Sequence, residues 1–463
     1  MSPSSPSSPS AAQPTDHRTP GLSSPACGTE QSTEAGRVSA RLELVRRLAQ
    51  LATQEPVTVC AAIYNEKGVK LLDRGVRVDA TLYERLQKHR LLAPIETCVA
   101  PENMVTSAHL VEAARHLLEQ FPLVGRLCDA ARVRRTAPEL LGRVPLPHGL
   151  AVHLTTARAL HQELFNHSVL SSLACMALGA NEFHTEFDRV MLAAVGLFHD
   201  LGMLHTDAAV LAGEPELTAA QRRHITAHPL ISAMLVQPHR VFPSTVMSAV
   251  LQHHERLDGT GYPKGLADKA LTPWGRIASA AEMVTASLVG DTLVEEVRLD
   301  TMLRLNARQF DPSLRDAVLR ACADGTNLGV GVLAVATDEL EADLVALWES
   351  LSGWKQCADA GTSDSRMQAA SRRMALVDRS LAKVGIDTSI SHSTEFLAGA
   401  NAAERGELTL VVREVRYQIR LAAQALQEFG WTGPELPQSV SVWARSASGR
   451  PFTEPTQNSQ AAA

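Results

Sequence analysis

The chain has 463 residues, a net charge of −6 and a pI near 6.3, with 45% apolar but only 4% aromatic residues. That length suits roughly two to four domains, and the low aromatic content suits helical packing of Ala, Leu and Val. Basic residues are spread out, which argues against duplex nucleic acid as a main partner, and no apolar run reaches the ~18–20 residues of a membrane span.

Residues 1–35 open with Ser2-Pro3-Ser4-Ser5-Pro6-Ser7-Ser8-Pro9 and stay rich in Ser, Pro, Thr and Ala. Such a segment buries too little apolar surface to offset its ordering entropy and reads as a disordered tail. It shows no basic-then-apolar export signal. Seven cysteines, scattered without a C-x-x-C pair, then read as reduced thiols of a cytoplasmic protein.

Val38, Leu42, Val45, Leu48 and Leu51 give residues 36–52 helical spacing. Residues 57–64 are β-rich, and after a turn at 65–68 the run 69–72 can pair back as a hairpin. Asp79 is the N-cap of a helix expected over 79–92. Together these make a small α/β module over 36–101, a regulatory input domain or a packing appendage.

From residue 102 to about 350 the pattern is almost wholly helical, with helices expected over 105–120 and 149–165. Residues 193–204 are nearly all apolar around a His-Asp pair. Thr218 to Gln221 is a capping box opening a helix that carries His224 and His228. Thr272-Pro273 supplies an N-cap and a proline at the first helical position, with Gly290 as the stop. Helices continue over 298–349, broken around Gly325, Gly329 and Gly331. A polar linker over 351–366 precedes a helical appendage over 367–433, with long helices at 367–384 and 407–429. From 434 to 463 the chain reads as loose.

Chemistry-bearing residues concentrate between 150 and 290. The run Gln252–Pro263 holds two adjacent imidazoles, a charged pair, then a loop with two glycines, Tyr262 and Pro263. Neighbouring helix positions point about 100° apart, so one metal seldom takes both His253 and His254, whereas two metals side by side can each take one. Glu163 and His167 lie four apart, on one helix face. His199-Asp200 sits in an apolar setting, where a charged Asp is costly unless paired or bound to metal. With His228 and Glu282 the set reaches five imidazoles and three carboxylates. Singly, each is an ordinary helix residue, and His224 is read as a bystander. Jointly, nitrogen and oxygen donors without thiolate suit iron, manganese or zinc, and their number implies two or three metals. Such a centre would activate a water as nucleophile and polarise a phosphoryl oxygen.

The order and spacing strongly resemble the HD-GYP family, a branch of the HD phosphohydrolases, over about residues 153–319. The resemblance is carried by Glu163 with His167-Ser168, His199-Asp200-Leu201-Gly202, Leu217-Thr218, His228-Pro229, His253-His254-Glu255-Arg256 and Asp258-Gly259-Thr260-Gly261-Tyr262-Pro263, with Gln309-Phe310-Asp311-Pro312 beyond them. It implies an all-helical domain that hydrolyses cyclic di-GMP to the linear dinucleotide or GMP. By position, Glu163, His167, His199, Asp200, His228, His253 and His254 match metal ligands. The resemblance makes His199 and Asp200 the catalytic pair and implies that Asp200 would bridge the metals. Glu282 stands where the family has a later aspartate. Gly261, Tyr262 and Pro263 match a loop at the lip of the site, which in this family is also linked to docking signalling proteins.

The departures fall on presumed substrate contacts. Met203 replaces a lysine whose charge would meet substrate phosphate, Thr285 replaces a second aspartate, and Leu288-Val289-Gly290 stands where an arginine-bearing stretch is usual. Arg256, Lys264 or Arg276 are the replacements to consider. The expected chain is mainly α, an HD-GYP domain between a small N-terminal α/β module and a C-terminal helical appendage suited to a homodimer. Its function is that of a cyclic di-GMP phosphodiesterase; a non-catalytic receptor or scaffold, or a hydrolase of another phosphate ester, are the alternatives.

Overall fold

The computed structural model describes residues 43–448 except 80, 82, 83, 85, 87, 212–217, 289–291, 326–336, 359–363, 384–398 and 427–435. The tail expected over 1–35, the start of the helix expected from 36, and Gly290, Gly329 and Gly331 lie outside the described residues. Three groups of buried apolar side chains organise the rest. One runs from Leu44 to Val99 and takes in Val152, one from Val105 to Cys322, and one from Leu305 to Ala444.

Helix α1 (43–51) buries Leu44, Val45, Leu48 and Leu51, the face its spacing predicts. The β-rich run 57–64 holds two strands, β1 (Val57–Val59) and β2 (Ile63–Tyr64). β2 makes the expected antiparallel hairpin with β3 (Lys70–Leu72), whereas β1 pairs antiparallel with β4 (Val99–Pro101). Of the helix expected over 79–92, positions 81, 84 and 86 are helical, and the chain has turned by residue 88 so that Leu91 bridges to Asn65.

The middle group is a stack of helices: α2 (Ser107–Gln120), α3 (Pro122–Ala130), α4 (Ala137–Gly142), α5 (His148–Leu160), α6 (Gln162–Gly179) and α7 (Glu186–Phe198). The one helix expected over 149–165 is broken between α5 and α6 at His161, whose φ of −142° and ψ of 65° are not helical. Glu163 and His167 therefore both ride on α6. α7 packs closely along α6 because position 196 is glycine: a Cβ there would lie 2.3 Å from Ser172 N. The apolar segment expected over 193–204 changes character in its middle, as α7 ends at Phe198 and the chain passes through His199 and Asp200 into a 3-10 turn, Leu201–His205.

The capping box holds: Thr218 and Gln221 exchange side-chain and backbone hydrogen bonds at the start of α8 (Ala219–Val236). α9 (Ser244–Gln252) stops directly before His253. Thr272 accepts from Gly275 N at 3.0 Å to open α10 (Pro273–Ala286). α11 (Thr292–Leu305) and α12 (Pro312–Gly325) lead to the third group.

That group comprises α13 (Thr337–Ala358), α14 (Ser365–Lys383), α15 (Ala402–Leu426) and α16 (Gln438–Ser448). Two expectations fail here. Residues 351–358 of the expected linker are the last turns of α13 and bury Leu351, Trp354 and Cys357. Part of the end expected to be loose from 434 is α16, anchored by Val440, Trp443 and Ala444. Three apolar anchors among serines are too few to raise a clear helical period. Among the described residues no helix is long and apolar enough to cross a membrane, and the six cysteines are free.

Candidate metal centre

Four elements deliver the imidazoles and carboxylates to one place: α6 brings His167, the α7 end His199 and Asp200, α8 His228, and α10 Glu282. The chain just past α9 adds His253 and His254. Two groups result, His167 with His199 and Glu282, and Asp200 with His228, His253 and His254. In the first, His167 Nε2 lies 3.1 Å from His199 Nε2 and 3.0 Å from Glu282 Oε2, and His199 Nε2 lies 3.1 Å from the same oxygen. In the second, His228 Nε2 is 3.0 Å from His253 Nε2, and Asp200 Oδ1 is 3.0 Å from the former and 3.4 Å from the latter. Asp200 reaches both groups, since its Oδ2 lies 3.6 Å from both His167 and His199.

Backbone carbonyls fix which ring nitrogen faces inward. His199 Nδ1 donates to Gly196 O at 2.7 Å, His253 Nδ1 to Val250 O at 2.6 Å, and His228 Nδ1 to Ile225 O. Each ring thus turns its Nε2 toward the centre: burial keeps His253 neutral, with a bare lone pair there, whereas His199 holds a proton between Asp200 and Glu282 that a bound cation would displace. Asp200 Oδ1 is buried and accepts no properly directed hydrogen bond. Inward Nε2 atoms and an orphaned carboxylate oxygen fit a cation: second-sphere carbonyls orient metal-binding imidazoles in this way, and buried unsatisfied acceptors are otherwise costly.

The electrostatics agree. Burial would raise Asp200 and Glu282, but the surrounding imidazoles hold both carboxyls well below their ordinary range. Burial pushes His253 down to about 4 and His254 well below its usual value. Burial acts against His199 too, yet Asp200 and Glu282 carry it up to about 9. The centre is thus anionic carboxylate set among imidazoles, the donor chemistry of a divalent metal site.

Glu163 is not gathered with these groups: it is exposed in the first turn of α6, just past the break at His161. His224 is also outside both groups. Met203 is half-buried in the 3-10 turn. Thr285 spends its hydroxyl within the fold, 2.8 Å from Ser171 Oγ and 3.0 Å from Ala281 O. Arg256 commits Nη1 to His253 O, Glu255 O and Ser279 Oγ and stands over the Phe310 ring. Arg276 is tied to Asp311 and to Asp268 O.

The loop after His254 is clamped by a residue whose part the sequence reading missed. The carboxylate of Glu255, 1% exposed, accepts from Lys264 N at 2.7 Å and Leu266 N at 2.8 Å. Only its place beside the imidazole pair hinted at this. Gly261 lies against the backbone of 254–256, where a Cβ would come within 2.4 Å of Glu255 Cα. Tyr262 stacks on His254 with ring centroids 4.6 Å apart, and Pro263 and Lys264 are exposed at the lip.

Comparison with known proteins matches residues 147–314 to the family described as HD domain. The chain is 32% identical over 161 residues to the cyclic di-GMP phosphodiesterase response regulator RpfG of Xanthomonas campestris pv. campestris, covering 34% of this chain and 42% of that one. It is 34% identical over 127 residues to 3'3'-cGAMP-specific phosphodiesterase 1 of Vibrio cholerae, covering 27% and 29%. It is 29% identical over 123 residues to cyclic di-GMP phosphodiesterase PdeB of Borreliella burgdorferi, covering 27% and 32%. The chain thus spans less than half the length of these curated relatives.

Proposed function

We propose, from the premise that residues 147–314 are an HD domain of the HD-GYP family, that this chain is a metal-dependent phosphodiesterase opening cyclic di-GMP to the linear dinucleotide or GMP. The observation that carries this reading is the place of Asp200, one carboxylate between two groups of inward-facing donors. His167, His199 and Glu282 would hold one divalent ion and His228, His253 and His254 another, with Asp200 shared. Iron or manganese suits these donors best, and zinc less well. Bound metals supply a water activated near neutral pH and a Lewis acid for the phosphoryl oxygen.

The chain's own residues do the rest. The carbonyls of Gly196, Ile225 and Val250 keep three imidazoles in register, so the donor set is formed before substrate arrives. Glu255 holds the lip loop, and Tyr262 covers His254 from that side. With Met203 uncharged and Arg256 Nη1 committed, Lys264, exposed on the lip, is the choice among the described lip residues to meet a substrate phosphate. The same Gly261-Tyr262-Pro263 loop offers a docking point for signalling proteins, and the C-terminal helices suit a homodimer.

A second reading is favoured by Met203 and Thr285. A module that binds metal or nucleotide without turnover would act as a receptor or scaffold. The deciding experiment supplies Fe(II) or Mn(II) anaerobically to the purified protein. Metal content is measured on the same sample that is assayed on cyclic di-GMP and on 3'3'-cGAMP, the dinucleotide named for one relative. Turnover of cyclic di-GMP lost in Asp200→Ala supports the enzyme; metal bound without turnover moves the reading to a receptor; no metal uptake sinks both.

A further inference from the structure

Arg47, on α1 of the N-terminal group, is 3% exposed, and its guanidinium reaches into the middle group of helices. Nη1 donates to Leu204 O at 2.6 Å and Nη2 to Thr206 O at 3.0 Å. Nε donates to His161 Nε2 at 3.2 Å. The nearest counter-ion comes from its own helix, Glu43 Oε2 at 3.8 Å from Nη1. All three donor contacts therefore go to the other group.

Those partners bracket the candidate metal centre. Leu204 and Thr206 close the 3-10 turn that begins directly after Asp200. Its start is held by Gly202 N donating to Ser232 Oγ at 2.8 Å, and its last residue, His205, lies 3.0 Å from His153 Nε2 on α5. His161 is the non-helical residue from which α6 departs, six positions before His167. One planar fork thus fixes the end of the segment carrying His199-Asp200 and the start of the helix carrying His167. Lysine, whose three N–H donors radiate from one nitrogen, could not span both carbonyls and the imidazole. A buried guanidinium carries a desolvation cost that an apolar contact would not. The group does not need it for attachment, since the N-terminal core already packs against Val152 on α5.

We propose that Arg47 is a positioning residue: from the N-terminal group it sets the spacing of His167 against His199 and Asp200, and so the affinity of the centre for metal. The inference rests on the metal reading above. It also gives the N-terminal group a route to regulate the site, because any rearrangement of α1 would move both segments.

The test uses the full chain stripped of metal, titrated with Mn(II), free Mn(II) being read by electron paramagnetic resonance. Arg47→Met, Arg47→Lys and the control Arg46→Met, at a neighbouring residue whose side chain is 53% exposed, are compared with wild type. Losing a group bonded directly to a metal-binding side chain typically costs about 10–100-fold in metal affinity, and Arg47, one step further out, is expected at the lower end of that range. That loss is expected in Arg47→Met with the metal-free melting temperature and far-ultraviolet spectrum kept, a smaller loss in Arg47→Lys, and none in Arg46→Met. Wild-type affinity in Arg47→Met overturns the inference while leaving the metal reading intact. A loss that tracks unfolding in both Arg47 variants overturns it as well, reducing Arg47 to a structural residue. A wild-type chain that takes up no Mn(II) overturns the metal reading and this inference together.

Discussion

Asp200 stands between His228 and His199, with Oδ1 3.0 Å from one Nε2 and Oδ2 3.6 Å from the other. Asn in its place keeps the shape but loses the charge and turns one oxygen into a donor aimed at an imidazole. Asp200→Asn should therefore lower metal content at both groups, not one, with hydrolysis falling on the order of a hundredfold or more, beyond the loss typical of an outer-sphere partner. Elemental analysis beside the activity assay checks this; full metal content in the variant would rule out a shared ligand.

Glu255 accepts two backbone amides, Lys264 N and Leu266 N, from a buried position. In Glu255→Gln one of these amides meets an NH2 group, donor against donor. Leaving a buried donor unpaired costs about 1–3 kcal/mol. Urea denaturation should report that loss, and hydrogen exchange should speed up at 264 and 266 ahead of the helices. Exchange unchanged at those two amides would mean the loop is held by Gly261 and Tyr262 instead.

What was legible in the sequence followed from local signals. The capping box at Thr218, the Thr272-Pro273 start and the apolar faces of α1 and α2 are written within one or two turns of chain. The donor set was legible too, because seven of its eight members form the two groups found in space. Glu163 was not, because shared helix phase with His167 says nothing about a break two residues earlier at His161. That break, the pairing of β1 with β4, and Arg47 reaching Leu204 and Thr206 all depend on partners distant in sequence. Hydrophobic period carries no trace of such contacts. α16 escaped for another reason: its few apolar anchors are diluted by serine.

His161 ties this distant pairing to pH. Burial and the Arg47 guanidinium push its pKa down to about 4, against about 6.5 in an unfolded chain. The fold thus favours the neutral ring. Its contribution to stability is complete above pH 6.5 and fades as pH falls from there toward 4. At the lower end an imidazolium would face Arg47 across 3.2 Å. Urea midpoints at pH 7.5 and pH 5 should show a smaller acid loss in His161→Gln than in wild type. Equal losses would place the acid sensitivity in other groups.

Met203 tests whether the missing charge limits turnover. It is half-buried in the 3-10 turn, three residues past Asp200, and its carbonyl accepts from Thr206 N and Thr206 Oγ1, so the backbone there is held whatever the side chain. Lysine is long enough to keep its stem among apolar neighbours while its ammonium seeks the polar centre. If a phosphate is to be held beside the metals, Met203→Lys should lower KM for cyclic di-GMP or raise kcat, with steeper salt dependence as a new charge contact requires. The gain should be absent in Asp200→Asn/Met203→Lys, since the metals that would meet the phosphate are then depleted. A variant with KM, kcat and salt dependence unchanged would show that the phosphate is met elsewhere, and Lys264→Ala would then be expected to raise KM in the wild-type background.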